Sequence, residues 1–317
     1  MVKDMKLTYY PGCTLKTSAK NLEATAKAIL EAFGYELYEM DDWNCCGVVS
    51  SLTGDDLMHH LAPLRNLIHV EDMGEDTVVT LCDMCCNTLK QTNLRVQENP
   101  DDLETLNAFM DRENDYRGTV KVLHFLEFLR DTIGFDTLKK RVVNPLRGLK
   151  IMPYYGCMFL RPREVSMDDA EEPTILSDLV EALGGTIVDN PFKIECCGSY
   201  HTIEEKELVS RRAYQITNYA VERHGDAIVL TCPLCRFNLD QRGKEAEKMY
   251  KGYRQLPIYY YTQLIVVALG LNIDVCDFSS HVVDPRGLLE KKKIIPKRET
   301  LKTMKSEKRR QTQKVVT

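Results

Sequence analysis

The longest apolar run in this chain, Leu264 to Leu271, is far shorter than the roughly 20 residues a membrane-spanning helix needs. That predicts no membrane span. No basic-then-apolar leader opens the sequence, so the reducing cytoplasm is the expected location, where clustered thiols serve metals or catalysis rather than disulfides. A Gly-x-Gly-x-x-Gly fingerprint is missing, and so is a ferredoxin-type Cys-x2-Cys-x2-Cys-x3-Cys-Pro run. The chain is therefore not expected to collect electrons from a flavin or nicotinamide by itself. Excess positive charge is also absent from the body. From Lys291 onward there are eleven Lys or Arg against two Glu, which leaves 31 basic against 45 acidic residues before it, a balance of about −14. An acidic body leaves no general nucleic-acid footprint, and the basic tail, 291–317, reads as a solvated or partner-docking extension.

Cysteine, by contrast, is abundant and ordered. Ten of the twelve cysteines form one pattern used twice: Cys13, Cys45-Cys46-Gly47 and Cys82-x-x-Cys85, then Cys157, Cys196-Cys197-Gly198 and Cys232-x-x-Cys235. Corresponding cysteines stand 144, 151 and 150 residues apart. In 317 residues this predicts a duplicated α/β architecture. The expected units are two tandem repeated domains, 1–143 and 144–290. Each would be a small parallel sheet flanked by helices, with cysteine ligands at the carboxyl ends of strands. Strand-like runs at Lys6–Tyr10, Glu36–Met40, Thr77–Leu81 and Val120–Leu123 alternate with helices over 18–33 and 55–73 and from Cys82 on. A charged connection covers 98–117. The second half repeats the alternation with strands at Lys150–Tyr155, Thr186–Val188, Ala227–Leu230 and Ile258–Tyr261 and a helix at Ile175–Leu183. Open parallel sheets bind ligands at the carboxyl ends of their strands, so cysteines far apart in sequence are expected to converge there.

Thiolate ligands select zinc, copper(I) or iron–sulfur clusters. A structural zinc and an ordinary four-iron cubane each take four ligands, so five thiols are one too many for either. Adjacent cysteines suit a larger cluster whose metal atoms are spread out. The following glycine lets the backbone approach closely.

With its two units, Cys-x31-Cys-Cys-Gly-x34-Cys-x-x-Cys and Cys-x38-Cys-Cys-Gly-x33-Cys-x-x-Cys, the chain resembles the B-type component of heterodisulfide reductase, which consists of two cysteine-rich CCG domains. His281-Val282-Val283-Asp284-Pro285 resembles the sequence that closes such components. The resemblance implies two noncubane [4Fe-4S] clusters, one held by Cys13, Cys45, Cys46, Cys82 and Cys85, the other by Cys157, Cys196, Cys197, Cys232 and Cys235. It also implies reduction of a disulfide to two thiols between facing clusters. The implied partners are a ferredoxin-like iron–sulfur subunit of the C type and a flavin/iron–sulfur subunit of the A type. Any flavin-based electron bifurcation would reside in the latter. Electron entry through the amino-terminal cluster is likewise implied. One departure is Gly47-Val48-Val49-Ser50-Ser51, where methanogen members commonly carry Pro after the first pair; it makes a bacterial heterodisulfide-reductase-like complex an equal candidate. Three alternatives stay open at this stage: one cluster plus one zinc, an electron relay of the lactate- or glycolate-dehydrogenase kind, and a zinc-stabilised scaffold.

Outside the ten, His201 and Lys193 are candidates for groups near the second set, and Arg236 for charge balance or anion binding. Cys86 and Cys276 read as buried thiols, the other histidines as core or surface, and the tyrosine runs as sheet packing.

Overall fold

A computed structural model of the chain describes residues 5–48 and 56–296. The seven residues that begin with Val49, and with them most of the departing segment after the first cysteine pair, lie outside the described residues, as does the basic tail from 297 onward.

Two four-stranded, all-parallel sheets carry the fold. In the first, β1 (Met5–Tyr10), β2 (Tyr35–Glu39), β3 (Thr77–Thr80) and β4 (Lys121–His124) lie in the order β2-β1-β3-β4. In the second, β5 (Lys150–Tyr154), β6 (Thr186–Ile187), β7 (Ala227–Leu230) and β8 (Ile258–Tyr260) repeat it as β6-β5-β7-β8. Central strands of a parallel sheet are covered on both faces and so read as near-continuous apolar runs. Ala227-Ile228-Val229-Leu230 is such a run, buried at every position. The edge strand β2, Tyr-Glu-Leu-Tyr-Glu, buries only Leu37.

The helices follow the apolar spacing. α1 (Lys20–Ala32) turns Leu22, Ala26, Ile29 and Leu30 inward at helical intervals. α2 spans Leu61–Asp72, starting later than the expected 55 because a 3-10 turn at Met58–His60 precedes it. α3 (Asp83–Glu98) begins directly after Cys82. The stretch expected as a charged connection contains α4 (Pro100–Ala108): Pro100 at its first position and Asp101 and Asp102 in its first turn are helix-starting residues. In the second half come α5 (Ile175–Ala182), α6 (Lys206–Glu222) and α7 (Pro233–Phe237). Tyr261, expected as strand, instead opens α8 (Tyr261–Ala268), and every residue of α8 is buried. Among the described residues no helix is long and apolar enough to cross a membrane.

The two sheets share one continuous buried core. Thr25 of α1 and Thr262 of α8 join hydroxyls at 2.7 Å, and Asn21 donates to the Cys276 carbonyl at 3.3 Å. On another side of the seam, the Asn87 amide of α3 donates to the Met158 and Arg161 carbonyls, both at 2.8 Å. The seam so formed brings the cysteine-bearing ends of the sheets face to face.

Candidate metal centre

The order β2-β1-β3-β4 reverses direction between β1 and β3, and at such a switch point loops diverge to leave a crevice beyond the strand ends. Cys13 follows β1 and Cys82 follows β3, on either side of that crevice; the pair Cys45-Cys46 follows β2. The register is reproduced in the repeat. Tyr10 pairs with Thr80 and Tyr154 with Leu230, so each first cysteine stands three residues past this pairing and each Cys-x-x-Cys two. Identical offsets give the two sets the same internal layout.

All twelve cysteines are free thiols. In the first set Cys13 Sγ lies 4.0 Å from Cys45 Sγ. From there contacts run Cys45 to Cys46, Cys46 to Cys85 and Cys85 to Cys82. In the second they run Cys157 to Cys196, Cys196 to Cys197, Cys197 to Cys235 and Cys235 to Cys232. Cys82 and Cys232 stand next to each other across the seam, where their chain neighbours Asp83 and Thr231 are hydrogen-bonded, so the two sets meet between the halves. Cys13, Cys45 and Cys196 are exposed, while the inner cysteines of each set are buried. The thiols are thus open to the surface at Cys13, Cys45 and Cys196 and enclosed where the two sets meet.

Local structure prepares these sulfurs for negative charge. Cys82 stands at the amino terminus of α3, where free amides favour a thiolate and its thiol is held well below the ordinary range; Cys232 holds the same place on α7, but Cys82 beside it and burial push it up. Hydrogen bonds from Cys45 and Cys85 hold Cys46 down at about 4, and those from Cys157 and Cys197 hold Cys196 down at about 2. Their partners Cys45 and Cys157 are pushed above the ordinary thiol value.

The cradle itself is made of glycine and tyrosine. Gly12 has φ +66° and a Cβ there would stand 2.9 Å from Cys85 Sγ; Gly156, at φ +69°, would meet Cys235 Sγ at 3.1 Å. Only glycine serves such a place, by conformation and by space. Tyr10 donates to the Asn44 carbonyl at 2.8 Å and Tyr154 to the Glu195 carbonyl at 2.6 Å, each pinning the residue before a cysteine pair. These two phenols do more than pack a sheet, and the clue was present: each stands three residues before its first cysteine.

Among the described residues, no three Cys, His, Asp or Glu side chains converge as they would around a single ion. Five neighbouring thiols in each half suit a polynuclear iron–sulfur group better than a tetrahedral zinc, which takes four.

At the seam Thr231 donates to Asp83 Oδ2 at 2.7 Å, and Asp83 Oδ1 lies 3.2 Å from His124 Nε2. Leu126 N–H donates to His124 Nδ1, which leaves Nε2 as the protonated nitrogen facing Asp83. Burial raises the Asp83 carboxyl above its ordinary range. Nothing in the sequence pattern marked Asp83, whose counterpart in the repeat is Pro233. A cavity of about 10 Å³, the size of one water, lies here against Asp83, Met84, Met158, Cys157, Cys232 and Cys235.

Lys193 Nζ pairs with Asp189 at 3.3 Å, while its backbone carbonyl accepts from Tyr155 and Gly156. His201 is exposed beside Tyr200. Arg236 is buried and spent structurally: it lies 3.2 Å from Asp240 and donates to the Ser280 carbonyl at 2.7 Å. Asp240 also accepts from Val282 N–H, which ties the closing His281–Pro285 segment to α7. Cys86 and Cys276 are buried, and burial pushes both thiols up.

Comparison with known proteins agrees with the geometry. The cysteine-rich domain family CCG matches residues 7–90 and again 151–240. The chain is 30% identical over 297 residues to the B-type component of a ferredoxin/F420H2-dependent CoB-CoM heterodisulfide reductase of Methanosarcina acetivorans, covering 90% of this chain and 96% of that one. It is 29% identical to an 8-methylmenaquinol:fumarate reductase membrane anchor subunit of Wolinella succinogenes, covering 89% and 99%. Among solved structures, a hypothetical protein from Helicobacter pylori shares the fold with a TM-score of 0.70 at 10% identity over 87% of this chain; the chain spans 51% of that structure's length.

Proposed function

The chain belongs to the CCG cysteine-rich domain family, among components of the heterodisulfide reductase B kind, and from that premise we propose that its two thiol sets hold two noncubane [4Fe-4S] clusters and reduce a disulfide bound between them. The observation that carries this reading is the grouping of five thiols in each half, with the two groups meeting at the seam beside Cys82 and Cys232. Iron–sulfur chemistry in each set would supply one electron, and an S–S bond that takes two electrons and two protons leaves as two thiols.

The chain's own residues do the rest. Tyr10 and Tyr154 hold the pair-bearing loops, and Gly12 and Gly156 let the backbone close on Cys85 and Cys235. Met84, Met158 and Leu234 keep the seam apolar, so a disulfide there meets sulfur and thioether rather than water. Asp83 is the one acidic side chain lining that cavity among the described residues. Burial raises its carboxyl above the ordinary range, and Thr231 and His124 flank its two oxygens. The cavity is far smaller than a disulfide, so substrate entry requires the two halves to part along the seam.

The proposed setting is a cytoplasmic complex in which a ferredoxin-like iron–sulfur subunit and a flavin/iron–sulfur subunit deliver electrons. The domain limits we propose are 1–143 and 144–290.

A second reading, electron relay without bond cleavage, draws support from the small seam cavity and from the Wolinella relative, which is named as the anchor of a fumarate reductase. Anaerobic mixing of the reduced full chain with a low-molecular-weight disulfide separates the two. Disulfide reduction predicts release of thiol together with a changed EPR spectrum. Relay predicts an unchanged spectrum and no thiol.

A further inference from the structure

The two sulfur sets are built on the same plan, so the places where the copies differ carry information about what distinguishes them. Their backbone donors match: the N–H of Val48 reaches Cys46 as that of Ser199 reaches Cys197. Position 238 does not match its counterpart. Asn238, fully buried one turn after Cys235, donates its amide to Cys197 Sγ at 3.3 Å and to the Ser199 carbonyl at 2.9 Å. The Ser199 carbonyl accepts only from a donor, which fixes the amide with its NH2 toward the sulfur. Its own Oδ1 is buried without a partner. A side chain that leaves its acceptor unsatisfied in the interior is held there for its donor.

Thr88 occupies the corresponding place in the first half, three residues after Cys85, and lies with Gly47 and Val48 around one small pocket. Its hydroxyl donates back to the Met84 carbonyl at 2.8 Å, and so is turned to its own helix rather than to Cys46. Among the described residues, the first set's one comparable side-chain contact is Thr14 Oγ1 at 3.8 Å from Cys13, an exposed pair open to water.

Hydrogen bonds to cluster-ligating sulfur stabilise the more negative, reduced state and raise the reduction potential. We infer that Asn238 sets the second thiol set at a higher reduction potential than the first, making it the electron sink of the pair. This rests on the cluster-binding reading given above. The charged side chains that differ between the copies among the described residues do not oppose it. Arg236, where the first half has Cys86, is neutralised by Asp240. Asp83 is adjacent to Cys82 and bonded to the residue before Cys232, so it acts on both sets. Arg212, beside the Cys196 carbonyl at 3.3 Å, is likewise paired, with Glu195 at 2.5 Å.

The test is an EPR-monitored redox titration of the full chain purified anaerobically with its iron. Signals are assigned to each set by their loss in Cys13→Ser and Cys157→Ser. Asn238→Leu is expected to shift the second set's reduction equilibrium about tenfold against reduction, about 59 mV for one electron, with the first set unmoved. Thr88→Asn, which offers the missing amide to Cys46, is expected to raise the first set's potential. Retained iron with an unmoved second midpoint in Asn238→Leu overturns the inference. Should that variant lose its second-set iron, Thr88→Asn decides, and an unmoved first midpoint overturns it. An unaltered chain without iron overturns the cluster reading and this inference together, whereas iron with unmoved midpoints refutes the role of Asn238 alone.

Discussion

Replacing Gly12 by alanine tests the cradle around the first thiol set with a built-in control. At φ +66° a Cβ costs about 1–2 kcal/mol through its clash with the carbonyl. It would also stand 2.9 Å from Cys85 Sγ and 3.4 Å from the Tyr10 ring, so one of these buried side chains must leave its rotamer, at about 0.5–1.5 kcal/mol. Together these give about 1.5–3.5 kcal/mol, and the displaced sulfur is a proposed ligand. Gly74 has nearly the same φ, +76°, but nothing within 4 Å of its Cβ position, so Gly74→Ala carries the conformational cost alone. Urea unfolding should therefore show both variants destabilised, Gly12→Ala the more. Iron analysis and EPR should show that Gly12→Ala loses first-set iron while Gly74→Ala keeps all of it. Full iron in Gly12→Ala, or equal losses in the two variants, would refute the argument that Gly12 is there to make room for sulfur.

Other variants probe the thiols and the seam. Cys45→Ala and Cys196→Ala should each abolish the EPR signal of their own set; an unchanged spectrum in either removes that residue from the ligands. Asn87→Ala strips a two-pronged donor from the Met158 and Arg161 carbonyls, and a loss of about 2 kcal/mol in urea is expected. Asp240→Ala leaves Arg236 buried without its carboxylate and should cost about 3–5 kcal/mol by the same assay. Burial lowers His60 to about 4 from an ordinary value near 6.5, so the folded state favours the neutral ring. Its contribution is complete above about pH 6.5 and is lost as the pH falls towards 4. Unfolding midpoints between pH 7.5 and 4.5 should therefore decline more steeply for the unaltered chain than for His60→Gln.

Much of this arrangement was legible in the sequence. Alternating apolar runs and helical spacing implied parallel sheets, and cysteines at strand ends implied convergence, because parallel strands deliver all their carboxyl ends to one side. The strand order was not legible, since either neighbour of β1 satisfies the same pattern. Position 261 shows why boundaries slip: a run of tyrosines suits a strand, yet the Tyr260–Gln263 capping box starts a helix within it. The contacts of Asn238 and Asp83 were also hidden. The first depends on a loop 39 residues away and the second on the other half of the chain, and neither shows in local spacing.

The central claim is that ten thiols hold two iron–sulfur clusters, and iron, zinc and acid-labile sulfide per chain, measured on anaerobically purified protein, test it most directly. The account predicts about eight iron and eight sulfide with no zinc, four of each per set. Stoichiometric zinc without iron or sulfide would contradict it.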